Sequence, residues 1–225
     1  MNKSELLAVA KPILFNTPMV QAILDGRKTA TRRIVKFKGN KNPIWTGYVK
    51  DGLNLYNGKN EVCNEKPRYK VDDILYVRET WHKYTKRIGK GDSCKLEQFY
   101  GYKASIANSE DSREKWHPSI HMPKEAARIF LRVTDVRVER LQDIITGDYK
   151  TPLNINAEGL YESCCRCTHV NGDCKDFIKD DNCRLLNAFT ELWNSTIKKA
   201  DLNRYGWNAN PFVWVIEFEK LEVSE

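Results

Sequence analysis

Two stretches of this chain are written as β-strand more plainly than anything else in it. RIFLRVTDVRVERL, residues 128–141, places Ile129, Leu131 and Val133 at alternate positions, then resumes with Val136 and Val138 after a change of phase at Thr134-Asp135. Alternation with a period of two marks a strand with one buried face. The phase change predicts a bend or bulge, the device by which one ribbon turns a barrel corner. PFVWVIEFEKLE, residues 211–222, is aromatic and β-branched enough to suit a central place in a sheet.

Shorter strands are expected at Ile13–Phe15 and in YKVDDILYVRETW, where Ile74, Tyr76 and Arg78 share one face and Leu75, Val77 and Glu79 the other. Residues 43–62 carry aromatic and branched residues around Asp51-Gly52 and Asn57-Gly58, both hairpin signals. Helices are fewer. Thr17 is expected to cap one that has Pro18 as its first residue and Gly26 as its left-handed end. RLLNAFTELWNSTIKK, 184–199, is the best helix, with Leu185, Phe189, Leu192, Trp193 and Ile197 on one side. A helical or turn segment is expected around 143–149. Trp193, Trp214 and Phe218 are assigned to the core. Strands outnumber helices without alternating with them, so a mixed α+β fold is expected: a small β-barrel with helices packed at its openings.

The 225 residues suit one domain, 1–225, with variable insertions at about 83–115, holding some strand near FYGYKAS, and at 160–183. No apolar run approaches the roughly 20 residues that cross a bilayer, and the apolar part of MNKSELLAVAKPILF is too short for a signal peptide. A cytoplasmic protein with no membrane partner is expected. Seven cysteines there read as free thiols or metal ligands. CCRCTHVNGDC with Cys183 offers Cys165, Cys167, Cys174 and Cys183 as ligands for a structural zinc, with His169 near in sequence. An idle or redox-exposed cysteine loop and an isolated disulfide are the other readings. His117 and His121 are four apart, but Pro118 between them argues against a helical ligand pair.

The formal net charge is +7, a balance that favours polyanionic partners such as RNA or DNA. The charge is concentrated. From Arg27 to Lys50 there are eight Lys or Arg and no acid, beginning with ILDGRKTATRR. Arg27, Arg32, Arg33, Lys36 and Lys38 are expected on the most positive surface, a solvated face or a grip on phosphate. Glu79, beside Trp81, is a candidate to pair with that segment, and Tyr76 and Trp81 are candidates to stack on a base.

KPILFNTPMVQAILDGRKTATRR, RYKVDDILYVRETW, HMPKEAARIFLRVTDVRVERLQDI, NAEGL and NPFVWVIEFE together resemble the ASCH family, and more narrowly its phage- and prophage-encoded members. The resemblance spans nearly the whole chain except 83–115 and the cysteine loop. It implies a PUA-like barrel. Small bacterial members are amidohydrolases that remove the acetyl group of N4-acetylcytidine with a lysine, a threonine and a glutamate, and matching the motifs puts these at Lys28, Thr31 and Glu158. No cofactor is required by that resemblance. The chain departs from those enzymes in being about twice as long, in carrying Arg32 where they have an apolar residue, and in adding the cysteine loop.

The chemistry is sound in outline. A threonine hydroxyl needs a base, and a lysine serves only when its pKa falls below about 10.4. Arg27, Arg32 and Arg33 are expected to push Lys28 that way, on a segment expected to face solvent. Glu158 is then the acid for the leaving amine. Three functions follow: hydrolysis of an N-acylated pyrimidine nucleoside, RNA or DNA binding through residues 27–38 without chemistry, or a phage accessory protein in the host cytosol that binds a host partner through the two insertions.

Overall fold

The computed structural model describes residues 2–36, 43–49, 52–57, 62–63, 66–89, 94–105, 115–144, 157–160 and 184–223, with the backbone alone for 43–63 and 184–185. In chain order the elements are α1 (Lys3–Val9), β1 (Lys11–Leu14), α2 (Thr17–Leu24), β2 (Ala30–Ile34), β3 (Pro43–Val49), β4 (Gly52–Asn57) and β5 (Val62–Cys63). Then come β6 (Ile74–Arg78), β7 (Trp81–Ile88), β8 (Lys95–Tyr102), β9 (Phe130–Arg140), α3 (Arg184–Ser195), α4 (Leu202–Tyr205) and β10 (Phe212–Leu221). The fold is mixed α+β, mostly sheet. No described helix is long and apolar enough to cross a membrane.

The chain forms two compact units, neither contiguous in sequence. The first takes residues 1–26, 73–132 and 219–225; the second takes 27–72 and 133–218.

In the first unit α1, unforeseen in the sequence, is set by a capping box: Asn2 accepts from the Glu5 amide and Glu5 accepts from the Asn2 amide. α2 starts one residue earlier than expected. Asn16, not Thr17, is the cap, accepting from Met19 N at 3.0 Å, with Pro18 inside the first turn. Gly26 follows it at φ 73°, a conformation costly for any residue with a Cβ. β1 runs parallel to β6, Lys11 opposite Leu75, and β6 pairs antiparallel with the start of β9 through Leu75–Leu131 and Tyr76–Phe130. The core joins Leu6, Ala10, Tyr76, Trp81, Met122, Ala126, Ala127 and Phe130, with Leu221 and Val223 packed against it. The described part of the expected 83–115 insertion is mainly a hairpin, β7 on β8, paired from Trp81–Tyr102 out to Ile88–Lys95.

In the second unit β10 lies between β9 and β2, the central place its composition suits. Its register with β2 runs from Val213–Ile34 to Glu217–Ala30 without a slip. β3, β4 and β5 form an antiparallel meander whose first hairpin closes at Val49–Gly52. α3 lays Phe189 and Trp193 against Leu141, Ile144, Val213 and Val215. The helix stops at Ser195, yet Ile197 beyond it still packs on this cluster. Trp193 keeps its indole N–H satisfied by donating to Tyr205 O at 2.8 Å. Trp193, Trp214 and Phe218 are buried.

Candidate active site

The segment that leaves α2 is stitched to a distant turn. Thr29 N and Ala30 N both donate to Ala157 O, at 2.9 and 3.0 Å. Lys28 and Glu158 form an isolated antiparallel bridge, and Arg27 Nη1 donates to Gly159 O at 2.7 Å. Gly159 sits at φ 84°, so the turn reverses where a glycine follows the acid. These contacts all fall inside the second unit. Strand alternation then sorts the basic run. Ala30, Arg32 and Ile34 lie on the face whose β10 partners are Glu217, Val215 and Val213; Thr31 and Arg33 lie on the other, opposite Ile216 and Trp214.

Three charged side chains meet under this turn. Lys28 Nζ is 2.6 Å from Glu158 Oε2, and Arg32 Nη1 is 2.9 Å from Glu158 Oε1. The side chains of Lys28, Arg32 and Glu158 are 0%, 1% and 5% exposed. Nζ also donates to Ala30 O at 2.8 Å and to Glu158 O at 3.3 Å. An ammonium has three donors, so this set of acceptors matches it in full.

Burial is the leading influence on the Lys28 pKa and lowers it; Glu158 opposes, Arg33 and Arg32 add to the lowering, and the balance is downward. The direction is the expected one, but the leading cause is desolvation, not like charge. Glu158 moves down as well: burial alone would raise it, and Lys28 and Arg32 together outweigh that. An arginine does not lose its proton in proteins. Arg32 therefore stays charged beside Glu158 whatever the state of Lys28, and Lys28, whose pKa is lowered, is the cation of the cluster able to exchange a proton.

The cluster extends along β9. Arg32 Nη2 is 3.7 Å from Glu139 Oε2, and among the described residues neither atom has a hydrogen-bond partner; nor does Arg32 Nε. Arg137 holds the other oxygen of Glu139 at 2.5 Å, Asp135 at 2.7 Å and Glu217 at 2.5 Å. Partial burial lowers the Arg137 pKa, but these carboxylates raise it on balance.

The residues singled out in the sequence thus divide. Lys28 and Glu158 meet. Lys28 does not face solvent as expected, because the stitched turn covers it. Arg32 is also withdrawn from the surface, its guanidinium spent on Glu158. Thr31 is buried, and alternation turns its side chain to the face opposite Arg32. Arg33 and Lys36 are exposed. Lys38 and Cys165, Cys167, Cys174 and Cys183 lie outside the described residues, and of the cysteine side chains Cys94 is described, exposed on β8's approach.

Glu79, expected to pair with the basic segment, has Arg128 as its partner. Arg128 grips both its oxygens, at 2.8 and 2.9 Å, donates to Ser105 Oγ at 2.7 Å and lies 4.1 Å over the Tyr102 ring. Trp81 is part of the first unit's core, between Tyr100 and His117, and Tyr76 is buried there too, so neither offers an open face to a base. His117 bridges Trp81 across the backbone and His121 sits in a 3-10 turn.

Arg128, Glu139 and Arg137 were not foreseen. The last two had a visible signal, since Asp135, Arg137 and Glu139 recur every second residue and so share a face of β9. Comparison of the chain with family models, with curated proteins and with solved structures returned no match.

Proposed function

We propose that this chain is an amidohydrolase acting on an N-acylated pyrimidine nucleoside such as N4-acetylcytidine, with the PUA-like architecture that its resemblance to the ASCH family implies. Barrel closure belongs to this reading, since the described strand pairings within each unit form open runs. The observation that carries the proposal is the buried contact of Lys28 with Glu158, whose other oxygen pairs with Arg32.

In this reading Lys28, as the neutral amine that burial favours, takes the proton of the attacking water. The ammonium so formed passes a proton to the departing exocyclic amine. Glu158 serves here as the carboxylate that orients Lys28 and stabilises the ammonium it becomes, with Arg32 on its other oxygen, in place of the acid expected from sequence. Attack falls to water because Thr31 is turned to the other face of β2. The long bond from Nζ to the Glu158 carbonyl, 3.3 Å, is the one exchanged for substrate.

The test is cytidine release from N4-acetylcytidine, followed by chromatography. Lys28→Met is expected to abolish turnover, and Glu158→Gln to slow it by about 10²-fold, with circular dichroism confirming the fold. Full activity in Lys28→Met sinks the mechanism. No turnover by the unaltered protein sinks this substrate.

A second reading has one observation in its favour. Lys36, on the same segment, is exposed, and Arg33 keeps exposed surface although burial is the leading cause that lowers its pKa. Under it the chain binds RNA or DNA without chemistry, and affinity falls with salt as counterions are released.

A further inference from the structure

The β7–β8 hairpin has two unlike faces. One carries Trp81, Tyr100 and Tyr102 into the core of the first unit. Alternation and register put His82, Tyr84, Lys86 and Ile88 on the other, opposite Gly101, Phe99, Glu97 and Lys95. Rings on this second face form a continuous run. Trp116 lies 4.6 Å from His82, His82 stacks on Tyr84 at 5.5 Å, and Tyr84 stacks on Phe99 at 5.7 Å. The run begins in the interior and ends in solvent: His82 is buried, while Tyr84 is 36% and Ile88 42% exposed.

Charge follows the rings. On the ring face the described hairpin residues carry Lys86 and Lys95 against a single acid, Glu97, with Lys83 and Arg87 on the opposite face, and exposed Lys115 adjoins Trp116 at the inner end of the run. Lone exposed aromatics are common on protein surfaces. Stacked rings bordered at both ends by lysines are a different arrangement. They offer flat π-faces to bases and cations to the backbone between them, the two elements of sequence-tolerant single-strand binding. An apolar protein partner fits less well, since the exposed apolar groups on this face are interrupted by Lys86, Glu97 and Lys95.

We infer that the Trp116–His82–Tyr84–Phe99 face of the hairpin is a binding surface for single-stranded nucleic acid, with unpaired bases stacking on Tyr84 and Phe99 and phosphates meeting Lys86 and Lys95. The surface lies wholly within residues 81–116 and does not depend on Lys28 or Glu158. It requires unpaired bases, because a base within a duplex has no free face for a side chain to cover.

The experiment is fluorescence anisotropy of the full chain with a labelled 15-nucleotide oligodeoxythymidylate and with a duplex of the same length. Binding to the single strand is expected to exceed binding to the duplex and to weaken as salt rises. Tyr84→Leu and Phe99→Leu keep apolar bulk but remove the π-face; each is expected to weaken single-strand binding about tenfold, with thermal unfolding little changed. Lys86→Gln with Lys95→Gln is expected to weaken binding and flatten its salt dependence. Absence of binding at tens of micromolar overturns the inference, as does equal binding to the duplex, or affinity within twofold of the unaltered protein in the Tyr84→Leu/Phe99→Leu double variant. Self-association that the double variant abolishes, without oligonucleotide binding, assigns the face to a second copy of the chain and also overturns it. Cytidine release from the free nucleoside is expected to be the same in all these variants, so this surface and the proposed active site fail separately.

Discussion

Lys28 and Glu158 are 130 residues apart in sequence, yet their charged ends are 2.6 Å apart and both are shut away from solvent. Removing one partner of a buried ion pair strands the other, at a cost of about 3–5 kcal/mol. The two removals are not equivalent here. Lys28→Met leaves Glu158 with Arg32, whereas Glu158→Met leaves two cations without their shared anion. Glu158→Met is therefore expected to be the more destabilising, with Lys28→Met at or below the lower end of that range. Urea unfolding of the two variants checks the order, and the reverse order contradicts the geometry.

The same pair sets a dependence on pH. Glu158 has a lowered folded pKa, so its contribution is present above the unfolded carboxylate value and is lost as pH falls through the folded value. Lys28 is also lowered, so between its folded pKa and the ordinary 10.5 the unfolded chain binds the extra proton, and stability rises with pH across that interval. Unfolding free energies of the protein and of Lys28→Met, measured against pH, are expected to diverge toward the alkaline side in favour of the unaltered protein. A difference that narrows as pH rises shows a raised lysine instead.

Arg128 makes two planar contacts with Glu79 and covers Tyr102, and lysine offers only one point charge in their place. Arg128→Lys is expected to cost about 2 kcal/mol, below the cost of a fully buried pair because Arg128 is partly exposed. The Tyr102 phenol, whose pKa is pushed up to about 12 chiefly by burial, with Arg128 opposing, provides a local reporter. Its ionisation in an ultraviolet titration is expected to be conserved in shape only while the clasp is intact.

Gly101 is opposite His82, and a Cβ built there falls 1.9 Å from the imidazole Nε2. The ring is held between Trp116 and Tyr84, so it has little room to retreat. Gly101→Ala is expected to cost about 1–3 kcal/mol by overpacking. Combining it with His82→Ala is expected to restore most of the loss. An unchanged melting temperature in Gly101→Ala means the ring moves freely.

Much of this was legible where the cause is local. The end of α2 at Gly26, the faces of β6 and the central place of β10 follow from residues adjacent in sequence. The cap of α2 was misplaced by one residue because Asn16 and Thr17 are both competent caps and only the backbone decides between them. The basic run was misread for a deeper reason. A count of like charges says nothing about sides, whereas a strand sends Arg32 and Arg33 to opposite faces, and the acid that draws Arg32 inward is 126 residues away. Glu79 was assigned to the wrong cation for the same reason: its partner Arg128 is 49 residues on, in a stretch whose own pattern speaks only of a strand.

The chain's repeated passage between its two units bears on the order in which it can be made. Leu221 and Val223 pack on the same core as Leu6 and Ala10, and Thr29 hydrogen-bonds Phe218 within the other unit. A ribosome adds residues one at a time, and a domain usually folds once its last residue emerges. Here the core around α1 is completed by a segment translated more than two hundred residues later. Until then the core that Leu6 and Ala10 share with Tyr76, Trp81, Met122 and Phe130 lacks the cover of Leu221 and Val223, and β2 lacks β10, so a nascent chain stalled before residue 212 is expected to depend on a chaperone to stay in solution.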